Sequence, residues 1–264
     1  AGPSAWAAGA PAAAGVERLF LASFGSVILG PWIDPLNLVA EQDVGTLFGE
    51  ASEEVDSLCR CIVAALMCSR RLRRDSFLVA SLGKSLDKRA AGVLEVAGEG
   101  LQQLYADKRW MATTLARLAA HGPGSARLAG WMLRDATPSS VLLAQKVTSG
   151  PASWLVLRRG ARPACEAIAR AKAARARRLC FVLGTGPLAD AAEELGATAA
   201  SLGATPLLAS QCVSALQHLT DEHWPARTAP SCGRPGGEGR PGAAAVPAWP
   251  RSPGGASSTQ SSSP

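Results

Sequence analysis

Aromatic side chains are scarce in this chain, at 5% of 264 residues, with one tyrosine and five phenylalanines. Hydrophobic residues still reach 47%, so a domain of this length can fill a core without disulfide or metal staples. A β-sandwich draws on Val, Ile, Tyr and Phe, whereas a core built on Ala and Leu favours closely packed helices. No apolar run of about 18 residues occurs, so no membrane-spanning helix is expected. Arginine and lysine are absent before Arg18. The Ala/Gly/Pro stretch of residues 1–15 also lacks an apolar core, and it reads as a flexible leader, not a signal or transit peptide.

Histidine is limited to His121, His218 and His223. His121 stands in a Gly/Pro turn, and the other two are five residues apart, so they do not share a helix face. The acidic run Glu53, Glu54 and Asp56 opens a helix, where the macrodipole favours negative charge. Catalytic chemistry therefore finds little support, and neither an enzyme activity nor a cofactor is expected. The seven cysteines match no zinc spacing and form an odd count. Most lie in apolar stretches, as small buried hydrophobes do, which suits a reducing, intracellular compartment, nuclear, nucleolar or cytoplasmic.

Positive charge is present and unevenly placed. The formal net charge is +6. Eight basic residues fall between Arg158 and Arg178, including Arg159, Arg162, Arg170, Lys172, Arg175 and Arg177, against Glu166 alone. A second cluster is Arg70, Arg71, Arg73 and Arg74. Clustered arginine favours an anionic partner, nucleic acid being the commonest.

Apolar residues recur at helical spacing, as in Val55, Leu58, Ile62, Val63 and Leu66. Similar segments are read at 16–32, 76–86, 91–105, 110–120, 127–133, 139–147, 152–157, 163–176, 187–201 and 206–219. Pro163 suits the first turn of its helix. Helices this short must pack side by side, and the expected architecture is all-α, a solenoid of short helical repeats spanning residues 16–225. Residues 226–264 are Pro, Gly, Ser and Ala with scattered arginine, a composition that cannot offset ordering entropy; they read as a disordered tail.

Three segments align without gaps: Phe24-Gly25-Ser26-Val27-Ile28-Leu29, Pro123-Gly124-Ser125-Ala126-Arg127-Leu128 and Pro151-Ala152-Ser153-Trp154-Leu155-Val156. In the first two a tryptophan follows the glycine by seven residues, at Trp32 and Trp131. A fourth copy is read at Leu208 to Val213. A helix, a small turn, then Gly-Ser-x-x-Leu opening a second helix resembles the Pumilio repeat. The resemblance implies a non-catalytic RNA-binding protein whose second helices face RNA. Ser26, Ser125 and Ser153 match the first base-facing position. Val27, Ala126 and Trp154 match the stacking position, and Gly30, Ala129 and Leu157 the other edge-reading position. Those last three carry no side-chain hydrogen bonder. Phosphate contacts by Arg127, Arg158, Arg159 and Arg162, with stacking on Trp154, are therefore expected to outweigh base readout.

Two other readings stand beside this one. The same surface could serve as a protein-interaction scaffold. Alternatively, Arg177 to Gly203 reads as strand, Gly-rich turn and helix, with Trp154 to Leu157 as a preceding strand and Pro163 to Ala176 as its crossover. That is a βα unit which would bind a phosphorylated small molecule at Gly184 to Leu188. It is similar to sugar isomerase domains and to the kink-turn class of RNA-binding domains, both α/β.

Overall fold

The computed structural model describes residues 15–29, 52–69, 71–83, 92–123, 128–137, 140, 142–143, 152–184 and 186–225. The chain divides into Ala1–Ala229 and Pro230–Pro264, and every described residue belongs to the first unit. Both the expected tail and, apart from Gly15, the expected leader lie outside the described residues.

The architecture is α/β, which overturns the all-α solenoid. Seven strands form one sheet: β1 (Glu17–Phe24), β4 (Ser76–Leu82), β5 (Val93–Ala97), β6 (Trp131–Arg134), β7 (Ala152–Pro163), β8 (Arg178–Val182) and β9 (Thr198–Ser201). Two short strands, β2 (Met67–Cys68) and β3 (Arg71–Leu72), pair as a ribbon. The helices are α1 (Ser52–Leu66), α2 (Lys108–His121), α3 (Ala164–Ala173), α4 (Pro187–Glu194) and α5 (Ala209–Asp221). Strand order across the sheet is β6-β5-β4-β1-β8-β7-β9. The five strands from β4 to β9 run parallel, and β5 and β6 are antiparallel additions at one edge.

Alternating side chains divide the core in two. Phe20, Ala22, Leu78, Leu94, Leu155 and Phe181 face one layer, packed with α1, α2, α3 and α5. Leu19, Leu21, Val79, Val156, Cys180 and Val182 face the other, where α4 contributes Leu188, Ala189 and Ala192. Phe20 and Phe181 stack at the centre of the first layer, their ring centroids 5.2 Å apart. Such a pair contributes about 0.5–1.5 kcal/mol beyond the area it buries.

The helices end where local chemistry says they should. Glu53 and Glu54 lie in the first turn of α1, complementing its dipole. Asp107 caps α2, its carboxylate accepting the Trp110 N–H at 2.7 Å. Gly122 closes that helix at φ 74°. Pro187 opens α4, where its missing N–H is no loss.

The Pumilio resemblance fails on this structure. Gly25 and Ser26 form the turn that ends β1, Ser153 to Val156 lie within β7, and Leu208 caps the start of α5. Segments adopting a turn, a strand and a helix start cannot be copies of one helical unit. Their likeness is the chance yield of a chain rich in Ala, Leu, Ser and Gly.

Candidate functional site: the carboxyl edge of the sheet

The chain leaves β1 for α1 and β7 for α3 on one face, but leaves β8 for α4 on the other. Strand β8 sits between β1 and β7, so its exit parts from those of both neighbours. In open α/β sheets that divergence opens a crevice outside the carboxyl ends of the strands. Here the exit of β8 is Leu183, Gly184 and, beyond residue 185, Gly186. Gly184 has φ 89° and Gly186 φ 96°, a left-handed backbone that favours glycine. A Cβ placed on either would meet no atom within 4 Å, so the turn faces open space.

On the other flank of β8, strand β7 makes an excursion. Leu157 and Arg162 both stand opposite Ala200 of β9, leaving 158–161 bulged between them, with Gly160 at φ 71°. The excursion, the loop after β9 and α5 enclose a cleft of about 520 Å³. Its walls include Gly160, Ala161, Pro163, Cys165, Ser201 and Gly203. The Ser201 hydroxyl accepts the Gly203 N–H at 3.1 Å and closes that loop on itself. Cys165, in the first turn of α3, is exposed.

Charge at this edge is distributed in a way the sequence does not reveal. Arg158 Nε donates to Glu193 at 2.7 Å, and its Nη2 donates to Asp190 at 2.9 Å. The hydrogen bond to Glu193, opposed by desolvation and helped by the bond to Asp190, holds the guanidinium pKa above its ordinary value. The Arg158 hydrogen bond in turn holds the Glu193 carboxyl below its ordinary value. Arg159 and Arg162 are exposed, and neither has an ion pair among the described residues.

The expected RNA-binding residues do not gather on one face. Ser26 lies at the carboxyl edge, in the turn after β1, and its N–H donates to Glu54 at 2.9 Å. Val27, matched to a stacking position, is fully buried. Arg159 and Arg162 adjoin the cleft residues Gly160, Ala161 and Pro163 in sequence, whereas Arg158 is committed to α4. Ser153 and Trp154 lie near the start of β7, at the opposite edge of the sheet. Ser125 and Arg127 lie outside the described residues, as do Gly30 and Ala126. The Gly184 turn was legible as a strand-turn-helix signal. The cleft beside Cys165 and the Ser201–Gly203 loop were not, although a short apolar stretch running into Ser-Leu-Gly was the available cue.

No group of three or more His, Cys, Asp and Glu side chains is disposed to hold a metal among the described residues. No helix among them is long and apolar enough to cross a membrane. His121 is exposed at the end of α2, and exposed His218 lies 3.6 Å from Glu222.

Fold and edge together define a mixed α/β domain with a crevice at the carboxyl ends of its parallel strands. No family model matches the chain, and no curated protein does either. Among solved structures it is similar to the crystal structure of Archaeoglobus fulgidus Nep1 bound to S-adenosylhomocysteine, at 12% identity and a TM-score of 0.47, over 79% of this chain and 98% of that one. A likeness of that degree carries no functional argument.

Proposed function

We propose that the domain binds a small nucleoside-bearing molecule in the crevice at the carboxyl edge, and that its macromolecular partner is RNA. One observation carries the first part: the loops after β1, β8 and β9 are rich in small residues and hold no cation, Arg158, Arg159 and Arg162 belonging to the β7 excursion and its end. Residues 24–29, 183–188 and 201–208 contain neither lysine nor arginine. A phosphate cradle at the start of α4 would need free amides. Pro187 has none, and the Ala189 and Asp190 amides already donate to the Gly186 carbonyl at 2.9 and 3.1 Å. Main-chain groups beside glycine and alanine instead suit a flat, uncharged heterocycle with an aliphatic extension. S-adenosylhomocysteine, the ligand of the archaeal structure, joins such a heterocycle to a thioether chain ending in a zwitterionic amino acid of no net charge, and is the probe to use first.

A second reading keeps one observation of its own. Arg159 and Arg162, next in sequence to cleft residues, are exposed with no ion pair among the described residues, where they could meet a phosphate. A phosphorylated nucleoside would then bind better than its parent. The RNA part rests on the net charge and on these exposed guanidinium groups. The cleft walls offer a Cys165 thiol and a Ser201 hydroxyl already bound to its own loop. The proposal is therefore one of binding, and it assigns no reaction.

Calorimetry of the full chain with S-adenosylhomocysteine, adenosine and adenosine monophosphate tests both readings. Binding of the first two, with slower alkylation of Cys165 in the complex, is the expected result. Preference for the monophosphate would favour the second reading. No heat from any ligand, with Cys165 alkylated at an unchanged rate, would reject the crevice as a nucleoside site.

A further inference from the structure

The opposite, amino-terminal edge of the sheet holds a second cleft, of about 480 Å³, between the last turn of α3 and the α4–β9 turn. Its lining combines Trp154, Arg170, Ser153 and Thr198 with the small or apolar residues Ala171 and Gly196. Trp154 is half-buried: one part packs on the α4 side of the core and the rest faces the cleft. Strand β9 pairs with β7 only from Leu155 onward, so Ser153 and Trp154 stand beyond its first residue. The Arg170 guanidinium is exposed. Its one hydrogen bond among those described is a long 3.4 Å contact from Nε to the Glu166 carbonyl, which leaves both Nη groups open.

The arginines around this cleft differ from those that the fold buries or pairs. Arg18 and Arg73 are buried against Asp221, Arg158 is held by α4, and Arg178 Nε donates to Glu17 at 2.7 Å. Arg175 and Arg177 are exposed with no ion pair among the described residues. Arg175 follows Ala174, a wall of the cleft, and Arg177 precedes Arg178, which pairs with Ala152 at the start of β7. The protein thus neutralises its structural arginines and leaves Arg170 open in the cleft beside a half-exposed indole, with Arg175 and Arg177 exposed next to cleft and strand residues in sequence.

From this juxtaposition we infer that the amino-edge cleft takes a nucleotide of single-stranded RNA. The base stacks on Trp154, the Ser153 and Thr198 hydroxyls face its polar edge or ribose, and Arg170 meets the adjacent phosphate. Base–aromatic stacking tolerates any sequence, because every base has a π-face. Arg175 and Arg177 extend the phosphate track. The inference rests on the proposed RNA partner and is independent of the ligand at the carboxyl edge.

The test uses the full chain and a fluorescein-labelled ten-residue oligouridylate, read by anisotropy at two salt concentrations. Trp154→Ala is expected to weaken binding by about 10- to 100-fold with little change in salt dependence, and Trp154→Phe to retain most of the affinity. Arg170→Ala is expected to weaken binding and to make the salt slope shallower by about one. A duplex of the same length should be indifferent to Trp154. Melting temperature and S-adenosylhomocysteine binding, measured on each variant, separate loss of the site from loss of the fold. Should Trp154→Ala fail to fold, Trp154→Phe and Arg170→Ala decide. Wild-type affinity in Trp154→Ala, an unaltered salt slope in Arg170→Ala, or no oligouridylate binding by the intact chain at low salt would each overturn the inference. Oligouridylate binding without any nucleoside binding would overturn only the carboxyl-edge proposal.

Discussion

Arg18, at the start of β1, donates through Nη1 to Asp221, at the end of α5, at 2.6 Å, across 203 residues of sequence. The same guanidinium reaches Gln217 at 2.8 Å and the Trp224 carbonyl at 2.7 Å. Arg73 grips Asp221 from the other side with contacts of 2.9 and 2.6 Å. Gln217 then donates to the Ala65 carbonyl at 2.7 Å, tying α5 to α1. Arg18 is completely buried and also lies 3.8 Å from Asp75, so removing Asp221 leaves two buried guanidiniums, Arg18 and Arg73, with that one carboxylate between them. Asp221→Ala is therefore expected to lower stability by about 3–5 kcal/mol, measured by urea unfolding. A loss under about 1 kcal/mol would show that solvent already screens the network.

The same carboxylate sets an acid limit. Burial pushes the Asp221 pKa up, but the Arg73 and Arg18 guanidiniums outweigh it and hold the group below its ordinary 3.8. A depressed folded pKa gives stability that is complete above the unfolded value and lost as pH falls through the folded one. Unfolding free energy should therefore decline below about pH 4. In Asp221→Asn that decline should be shallower, and identical acid limbs would place the titrating group elsewhere.

Thiol chemistry should divide by burial. Desolvation pushes Cys59, Cys61 and Cys180 up to about 12. Only the thiolate is nucleophilic, so a disulfide reagent at pH 8 should modify Cys165 rapidly and leave those three untouched until denaturant is added. Because their folded pKa values lie above the unfolded one, their contribution to stability is intact below about pH 9 and is lost as pH rises further. The loss should be up to about 1.4 kcal/mol per pH unit for each thiol. Unfolding curves between pH 8 and 10.5 would read it, and a flat profile would show that these sulfurs reach water.

Arginine substitutions should separate the paired from the unpaired. Arg159→Ala with Arg162→Ala is expected to flatten the salt dependence of RNA binding by about two, since two phosphate contacts are lost. Arg158→Ala is expected to leave that slope alone and to change stability by less than about 1 kcal/mol, as exposed ion pairs do. Equal effects from all three would mean that Arg158 releases Asp190 and Glu193 when RNA binds.

Much of the helical content could be read from the chain, because α1, α2, α3 and α5 each bury a single face and keep the i, i+3, i+4 spacing. Strand β1 was misread for the opposite reason. Both its faces are covered, so Leu19, Phe20, Leu21 and Ala22 are all buried and the period-two alternation disappears. Strands β4 and β5 share that fate. Strand β9 is Thr-Ala-Ala-Ser, with Thr198 alone favouring a strand, and its alanines read as a continuation of the helix before it even though Gly196 breaks the pattern. The strand-turn-helix at Arg177 to Gly203 was visible, but a sheet cannot be counted from two strands. At the sites, residue type was legible and placement was not. Nothing local in Arg158-Arg159 says that the first is held by acids more than 30 residues away, or that Trp154 and Arg170 line one cleft.

Glu17 and Arg178 meet across 161 residues, which has a consequence for synthesis on the ribosome. Strand β1 occupies a central position in the sheet, yet β8 on one of its sides is made 161 residues later, and α5 later still. A nascent chain stopped before β8 exposes Leu19, Phe20 and Leu21 along an unsatisfied strand edge, the kind of surface that chaperones cover and that aggregates if left bare. Closing loops of that length slows folding. Strand β1 must therefore wait, shielded, for β8.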